Sequence, residues 1–127
     1  MNKILIVEDE ADIRHGFDKL LKSYNCIREK ARNVSDALTF LDDFQFDLII
    51  LDLQLSPENR EGGFHIIRKI KTMRFNRATP VVIISGKMSK EQIERRITPD
   101  DNVVDILMKP VTNEELLGAI RKVLDLE

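Results

Sequence analysis

Four short apolar runs, each stopping on a side chain with chemistry to offer, constrain this chain more than any other feature. Lys3-Ile4-Leu5-Ile6-Val7 leads into Glu8-Asp9-Glu10, and Asp47-Leu48-Ile49-Ile50-Leu51 leads into Asp52. Pro80-Val81-Val82-Ile83-Ile84 leads into Ser85-Gly86, and Val103-Val104-Asp105-Ile106-Leu107-Met108 into Lys109-Pro110. Short runs this rich in Val, Ile and Leu predict strands covered on both faces, the signature of a parallel sheet. In such a sheet every strand ends at the same edge, where open α/β folds place their ligands. Carboxylates, a hydroxyl and an ammonium from four distant segments are thereby expected at one spot.

Helical periodicity fills the gaps between the runs. Ile13, Phe17, Leu20, Leu21 and Tyr24 share one helix face, and Val34, Ala37, Leu38, Leu41 and Phe44 share a second. Phe64, Ile67, Ile70 and Met73 predict a third helix. Ser89 with Gln92, and Thr112 with Glu115, read as capping boxes that open a fourth and a fifth. The fourth buries Ile93 and Ile97; the fifth buries Leu116, Ile120, Val123 and Leu124. The remaining strand, Cys26 to Ala31, is interrupted by charge and reads as an edge. Five βα units with right-handed crossovers predict a doubly wound sheet. A chain of 127 residues has room for one such domain. Its 43% hydrophobic and 33% charged residues suit a folded globular protein. A net charge of −2 argues against a general nucleic-acid binder. A single cysteine, Cys26, suits a reducing compartment. No apolar stretch approaches a membrane span, so the expected setting is cytoplasmic, without a membrane partner.

Carboxylates ~5 Å apart repel by about 3 kcal/mol per pair at an effective dielectric near 20. Glu8, Asp9 and Asp52 therefore need a cation or raised pKa values in order to gather. A hard divalent ion with oxygen ligands resolves the conflict, and Mg²⁺ suits a site of few carboxylates plus phosphate and water. Asp52 has the chemistry to attack phosphorus and form an acyl phosphate, with Lys109 spreading the charge of the transferred group. Plainer readings stand beside each of these. Glu8-Asp9-Glu10 suits a helix N-terminus, Asp52 could cap a loop, Ser85-Gly86 is ordinary turn chemistry, and Lys109 could be a solvated lysine.

Taken in order over a (βα)5 pattern, Glu8-Asp9, Asp52, Ser85 and Lys109-Pro110 resemble the receiver domain of two-component response regulators, and the resemblance covers residues 1–127 as one domain. It implies a flavodoxin-like fold with strand order 2-1-3-4-5. It also implies Asp52 as phosphoacceptor and Ser85 as the hydroxyl that senses the phosphoryl group. Mg²⁺ would be held directly by Asp9, Asp52 and the backbone carbonyl of Gln54, and through water by Glu8. The Lys109-Pro110 bond would be cis, turning the ammonium inward. The implied partners are a sensor histidine kinase or histidine phosphotransfer protein and a downstream protein target. No DNA-binding or enzymatic output is expected within these residues, whose only catalysis would be phosphorylation and dephosphorylation of their own aspartate.

Two features depart from the family pattern. Ile106 stands where a Tyr or Phe is usual, three residues before the lysine, which puts the usual serine-to-aromatic switch in doubt. Movement of the segment from Ser85 to Gln92 is the alternative output route. Gly62-Gly63 come late after Asp52, leaving Pro57, Glu58, Asn59, Arg60 and Glu61 as a polar lid. Gln54 and Lys87 fall at positions that influence phosphoryl lifetime in the family. The basic residues around the third helix, with His15 and His65, read as solvated surface, and Cys26 as packing.

Three functions compete on these residues: a phosphorylation switch, a binding module that signals without phosphorylation, and an aspartyl phosphatase. The clustered acids disfavour the second, because a site freed from chemistry has no need of them. Gln54 disfavours the third, because a haloacid-dehalogenase-like enzyme needs an acid there. The first is the expectation carried forward.

Overall fold

The computed structural model describes residues 1–55 and 60–127. Its strands are β1 (Asn2–Val7), β2 (Cys26–Ala31), β3 (Leu48–Asp52), β4 (Val81–Ser85) and β5 (Val103–Met108). The helices between and after them are α1 (Ala11–Leu21), α2 (Val34–Asp43), α3 (Gly62–Ile70), α4 (Lys90–Glu94) and α5 (Asn113–Arg121). All strand pairs are parallel, in the order β2-β1-β3-β4-β5. That is the order the resemblance implied.

Period-two alternation divides the apolar runs between two cores. Leu5, Val7, Ile49, Leu51, Val81 and Ile83 face one layer, which α2, α3 and α4 close with Leu41, Phe64, Ile67 and Ile93. Ile4, Ile6, Leu48, Ile50, Val82 and Ile84 face the other, which α1 and α5 close with Phe17, Leu21, Leu116 and Ile120. Full burial of each such side chain is worth roughly 1.5–3 kcal/mol, so the sheet interior dominates stability. The edge strand β2 is charged because only its ends are buried; Arg28 and Lys30 pair with Asp18 of α1 at 2.8 and 3.3 Å. Edge charges of this kind discourage strand addition.

Both expected capping boxes form, at Ser89/Gln92 and Thr112/Glu115. Helix ends depart from the periodicity. Phe44 caps the C-terminus of α2 instead of joining its buried face and is 47% exposed. It lies under the Lys3 ammonium, 3.9 Å from the ring centroid. Ile97, Met73, Val123 and Leu124 lie beyond the ends of their helices yet still pack against the cores. Of the expected polar lid, Pro57, Glu58 and Asn59 fall outside the described residues.

Gly63 sits where α3 crosses the end of β3, and its N–H donates to the Leu53 carbonyl at 3.0 Å. A Cβ there would lie 2.5 Å from the Leu53 Cα, backbone that cannot swing aside. Gly63→Ala is therefore expected to lower the unfolding free energy by about 1–3 kcal/mol in urea titration, as overpacking does. Gly16→Ala, inside α1 with nothing within 4 Å of the new methyl, serves as the control and should stabilise by about 0.5–1 kcal/mol instead.

Asp101 closes a 3-10 turn at residues 99–101 by accepting from Thr98 N–H at 2.7 Å and pairing with Lys71. Burial opposes its charge, but Lys71 and the Thr98 amide outweigh that and hold its pKa below the usual value. A depressed carboxylate stabilises the fold above its unfolded-state pKa and loses that contribution as pH falls through the folded one. Asp101→Asn should therefore be less stable than wild type at pH 7, with the two unfolding curves converging below pH ~3.8.

Candidate functional site

Strand register brings the polar ends together. Asp52 pairs with Ile84 and Ser85 with Met108, while Val7 pairs with Leu51. Glu8 and Asp9 thus follow β1 directly beside the last residue of β3. The ladder continues past the strands: Leu53 N–H donates to Ile84 O at 3.1 Å and Lys109 N–H to Ser85 O at 2.8 Å. Chain order reverses between β1 and β3, the place where doubly wound sheets open a crevice at their carboxyl edge. A cleft of about 360 Å³ opens there, lined by Asp9, Glu10, Asp52, Gln54, Arg60, Gly86, Lys87 and Lys109.

Below its floor lies Glu8, 1% exposed, beside Asp52 at 3%. The Lys109 ammonium is 3.0 Å from Glu8 Oε1, 3.5 Å from Asp52 Oδ2 and 3.9 Å from Glu10 Oε1. Its stem runs along Gly86, where a Cβ would come within 3.3 Å of the lysine Cδ. The Lys109-Pro110 peptide bond is cis. Asp52 Oδ1 accepts from the Gln54 N–H at 3.3 Å, and Glu8 Oε2 from the Glu10 N–H at 3.3 Å.

One ammonium does not balance these acids. Burial first, and then the neighbouring Asp52 carboxyl, push Glu8 up to about 8. Burial also raises Asp52, and Asp9 adds to the rise, against the lowering effect of its Glu8 hydrogen bond, Lys109 and the Gln54 amide. Burial works against the Lys109 charge, but Glu8, Asp52 and Glu10 outweigh it and raise its pKa. Glu8 Oε1 is a buried oxygen with no hydrogen bond among the described residues, its one charged neighbour being the Lys109 ammonium 3.0 Å away. Carboxyl oxygens of Glu8, Asp9 and Glu10 can all lie within 4.8 Å of one another. An all-oxygen donor set with surplus negative charge and an orphaned buried oxygen fits a hard divalent cation.

Ser85 is buried at the end of β4, but its hydroxyl is turned to its own loop. Oγ donates to Met88 O at 2.9 Å and accepts from Met88 N–H at 3.1 Å. Ile106 is buried in the α2/α3/α4 core and fills space there. Three features in and beside the cleft escaped sequence reading. Glu10, which suits a helix N-terminus in sequence, lies 3.9 Å from the Lys109 ammonium; Arg60, placed in the polar lid, lines the cleft; and Arg14 donates through Nη1 to the carbonyls of Glu8 and Asp9 at 2.9 and 3.2 Å. Charge at i+4 from an acid is a readable signal, but a guanidinium aimed at main-chain oxygens leaves none. His15 and His65 are exposed, and Cys26 is buried with Sγ 3.5 Å from the Leu21 carbonyl, as packing predicts.

A sheet in this order, with acids on two neighbouring strands and a lysine after the outermost, defines a CheY-like domain of flavodoxin fold. Residues 4–121 match the family model of the response regulator receiver domain, and the chain belongs to that family. Response regulator ArlR of Staphylococcus aureus is 35% identical over 124 residues, which are 98% of this chain and 53% of that protein. The chain thus spans about half the length of the curated relatives it matches. Among solved structures, the chemotaxis response regulator CheY4 of Vibrio cholerae is 25% identical, with a TM-score of 0.83 over 98% of this chain and 99% of that one. The non-phosphorylated HemR receiver domain of Leptospira biflexa, at 22% identity, shares the fold with a TM-score of 0.82 over 100% and 97% of the two chains. Receiver domains serve phosphorylation-based signalling in two-component systems. Among the described residues no helix is long and apolar enough to cross a membrane.

Proposed function

We propose that residues 1–127 act as one cytoplasmic receiver domain, in which Asp52 accepts a phosphoryl group from a sensor histidine kinase or histidine phosphotransfer protein. The observation that carries this reading is the burial of Glu8 and Asp52 around the single ammonium of Lys109, with one Glu8 oxygen unbonded. Asp9, Asp52 and the Gln54 carbonyl would hold Mg²⁺ directly and Glu8 through water. Bound there, the ion supplies positive charge for the phosphoryl oxygens.

The protein's own groups do the rest. A carboxylate oxygen of Asp52 forms the new bond to phosphorus while the donor's P–N bond breaks and its imidazole leaves with the electron pair. The Gln54 N–H fixes the other carboxylate oxygen, so the nucleophile is oriented before the donor arrives. Lys109 already stands 3.5 Å from Asp52 and needs little movement to meet the transferred group. For Ser85 to donate to the phosphoryl group it must give up its Met88 bonds, which couples phosphorylation to the loop entering α4. That loop, and not a ring at position 106, then carries the change to a downstream protein target. Catalysis is confined to the chain's own aspartate.

Acetyl phosphate with Mg²⁺ should give a label that is cleaved by hydroxylamine, as an acyl phosphate is, and that does not form when the metal is chelated beforehand. Absence of label, or a label stable to hydroxylamine, overturns the reading.

A further inference from the structure

The turn between β1 and α1 gathers the acids, yet nothing on its side-chain face accounts for how Asp9 is held. Glu8 has the Glu10 N–H and Lys109, and Asp52 has the Gln54 N–H and Lys109. Asp9 has no side-chain hydrogen bond or ion pair among the described residues, so its carboxylate goes where its backbone goes. The N-terminus of α1 does not fix that backbone through a side chain either, because Glu10 at the cap position makes no capping bond. Arg14 does. From the first turns of α1, half-buried, its Nη1 donates to both consecutive carbonyls, Glu8 O at 2.9 Å and Asp9 O at 3.2 Å. Its own N–H bonds Glu10 O at 2.9 Å, so all three acidic residues are tied to one arginine.

We infer that Arg14 is a positioning residue for the divalent cation: it holds the Glu8-Asp9 peptide so that the Asp9 carboxylate faces the cleft. The inference rests on the metal site proposed above. Two physical points support it. Like-charged carboxyl groups gathered this closely repel one another, and a turn under that load opens unless its backbone is tied. Charge-assisted bonds to carbonyl oxygens are roughly twice as strong as neutral ones, and here one nitrogen makes two. Among the described residues the guanidinium pairs with no carboxylate, so its effect on the metal passes through the main chain.

Removing outer groups that orient metal ligands typically weakens binding ~10–100-fold. Arg14→Met, which keeps an unbranched stem and drops the donors, is expected to raise the Kd for Mg²⁺ or Mn²⁺ by about that factor in calorimetric titration. Arg14→Lys keeps the charge but its stem is one bond shorter, and it should lose most of the same affinity. At saturating Mg²⁺ the maximal rate of labelling by acetyl phosphate should return to near wild type for both variants, with only the half-saturating metal concentration shifted. Metal-free thermal unfolding should stay cooperative and fall only modestly, so that the loss of metal affinity is not a loss of the fold. Wild-type affinity in Arg14→Met overturns the inference while leaving the site reading intact, and so does full retention in Arg14→Lys, which would make charge alone sufficient. A wild-type protein that binds neither ion overturns the site reading itself.

Discussion

Asp52→Asn is expected to lose phosphodonor labelling by at least ~100-fold while folding at least as well as wild type, and the two results must come together. The amide keeps an oxygen where Oδ1 now accepts from the Gln54 N–H, so the loop after β3 retains its anchor. What it lacks is a carboxylate to bond phosphorus, and no nearby group replaces it. Glu8 lies beneath the floor at 1% exposure, and Glu10 sits at the rim, already facing Lys109. The stability half follows from electrostatics. Burial, with Asp9 nearby, raises the Asp52 pKa despite Lys109 and two hydrogen bonds, so the fold as a whole disfavours that charge. A neutral side chain of the same shape removes the penalty, and chemical denaturation in the presence of a chelator at neutral pH should show the variant more stable. Labelling equal to wild type would move the phosphoacceptor to another side chain. Lost labelling with a large loss of stability would show only that the fold had failed, and would withdraw Asp52 as the demonstrated nucleophile.

How legible the molecule was depended on the kind of interaction. Alternation and apolar runs report which faces are buried, so β1, β3, β4 and β5, their shared edge and the acids and lysine at that edge could be read directly. The capping boxes were legible because each is a reciprocal pair at fixed spacing. Helix ends were not: Phe44 keeps the i+3 step from Leu41, yet the chain leaves the helix there and the ring covers Lys3 instead. The Ser85 hydroxyl was read as a site group, but hydroxyls find main-chain partners within their own turn, and Met88 supplies both a donor and an acceptor. Arg14 left no trace in the sequence for a related reason. Every residue offers a carbonyl, so no residue type marks the one that a guanidinium will choose.

Asn76 shows the same blindness at its greatest cost, and carries the larger stability prediction. In sequence it is one more polar residue in the stretch Arg74-Phe75-Asn76-Arg77, indistinguishable from a turn. In the structure it is 0% exposed and every valence of its amide is used. Nδ2 donates to Leu41 O at 2.6 Å and Phe44 O at 2.7 Å, while Oδ1 accepts from Phe46 N–H and the Thr79 hydroxyl, each at 2.9 Å. Leu41 O lies in the last turn of α2, where a helix leaves its carbonyls without partners of its own. One side chain thus closes α2, shapes the approach to β3 and joins both to the loop before β4. Asn76→Ala strands an N–H and two carbonyls, at roughly 1–3 kcal/mol for each group left buried and unpaired, with some relief from admitted water. An overall loss of about 3–5 kcal/mol is expected in urea titration, in the range reserved for broken buried networks. Asn76→Asp should be worse at high pH than at low. Its protonated form can still donate once, whereas the ionised form places a charge against two carbonyl oxygens, so its stability should fall as pH rises above the ordinary aspartate range. A loss below ~1 kcal/mol for Asn76→Ala would mean that these loops hold their shape without the amide, and that its four bonds follow from the fold instead of fixing it.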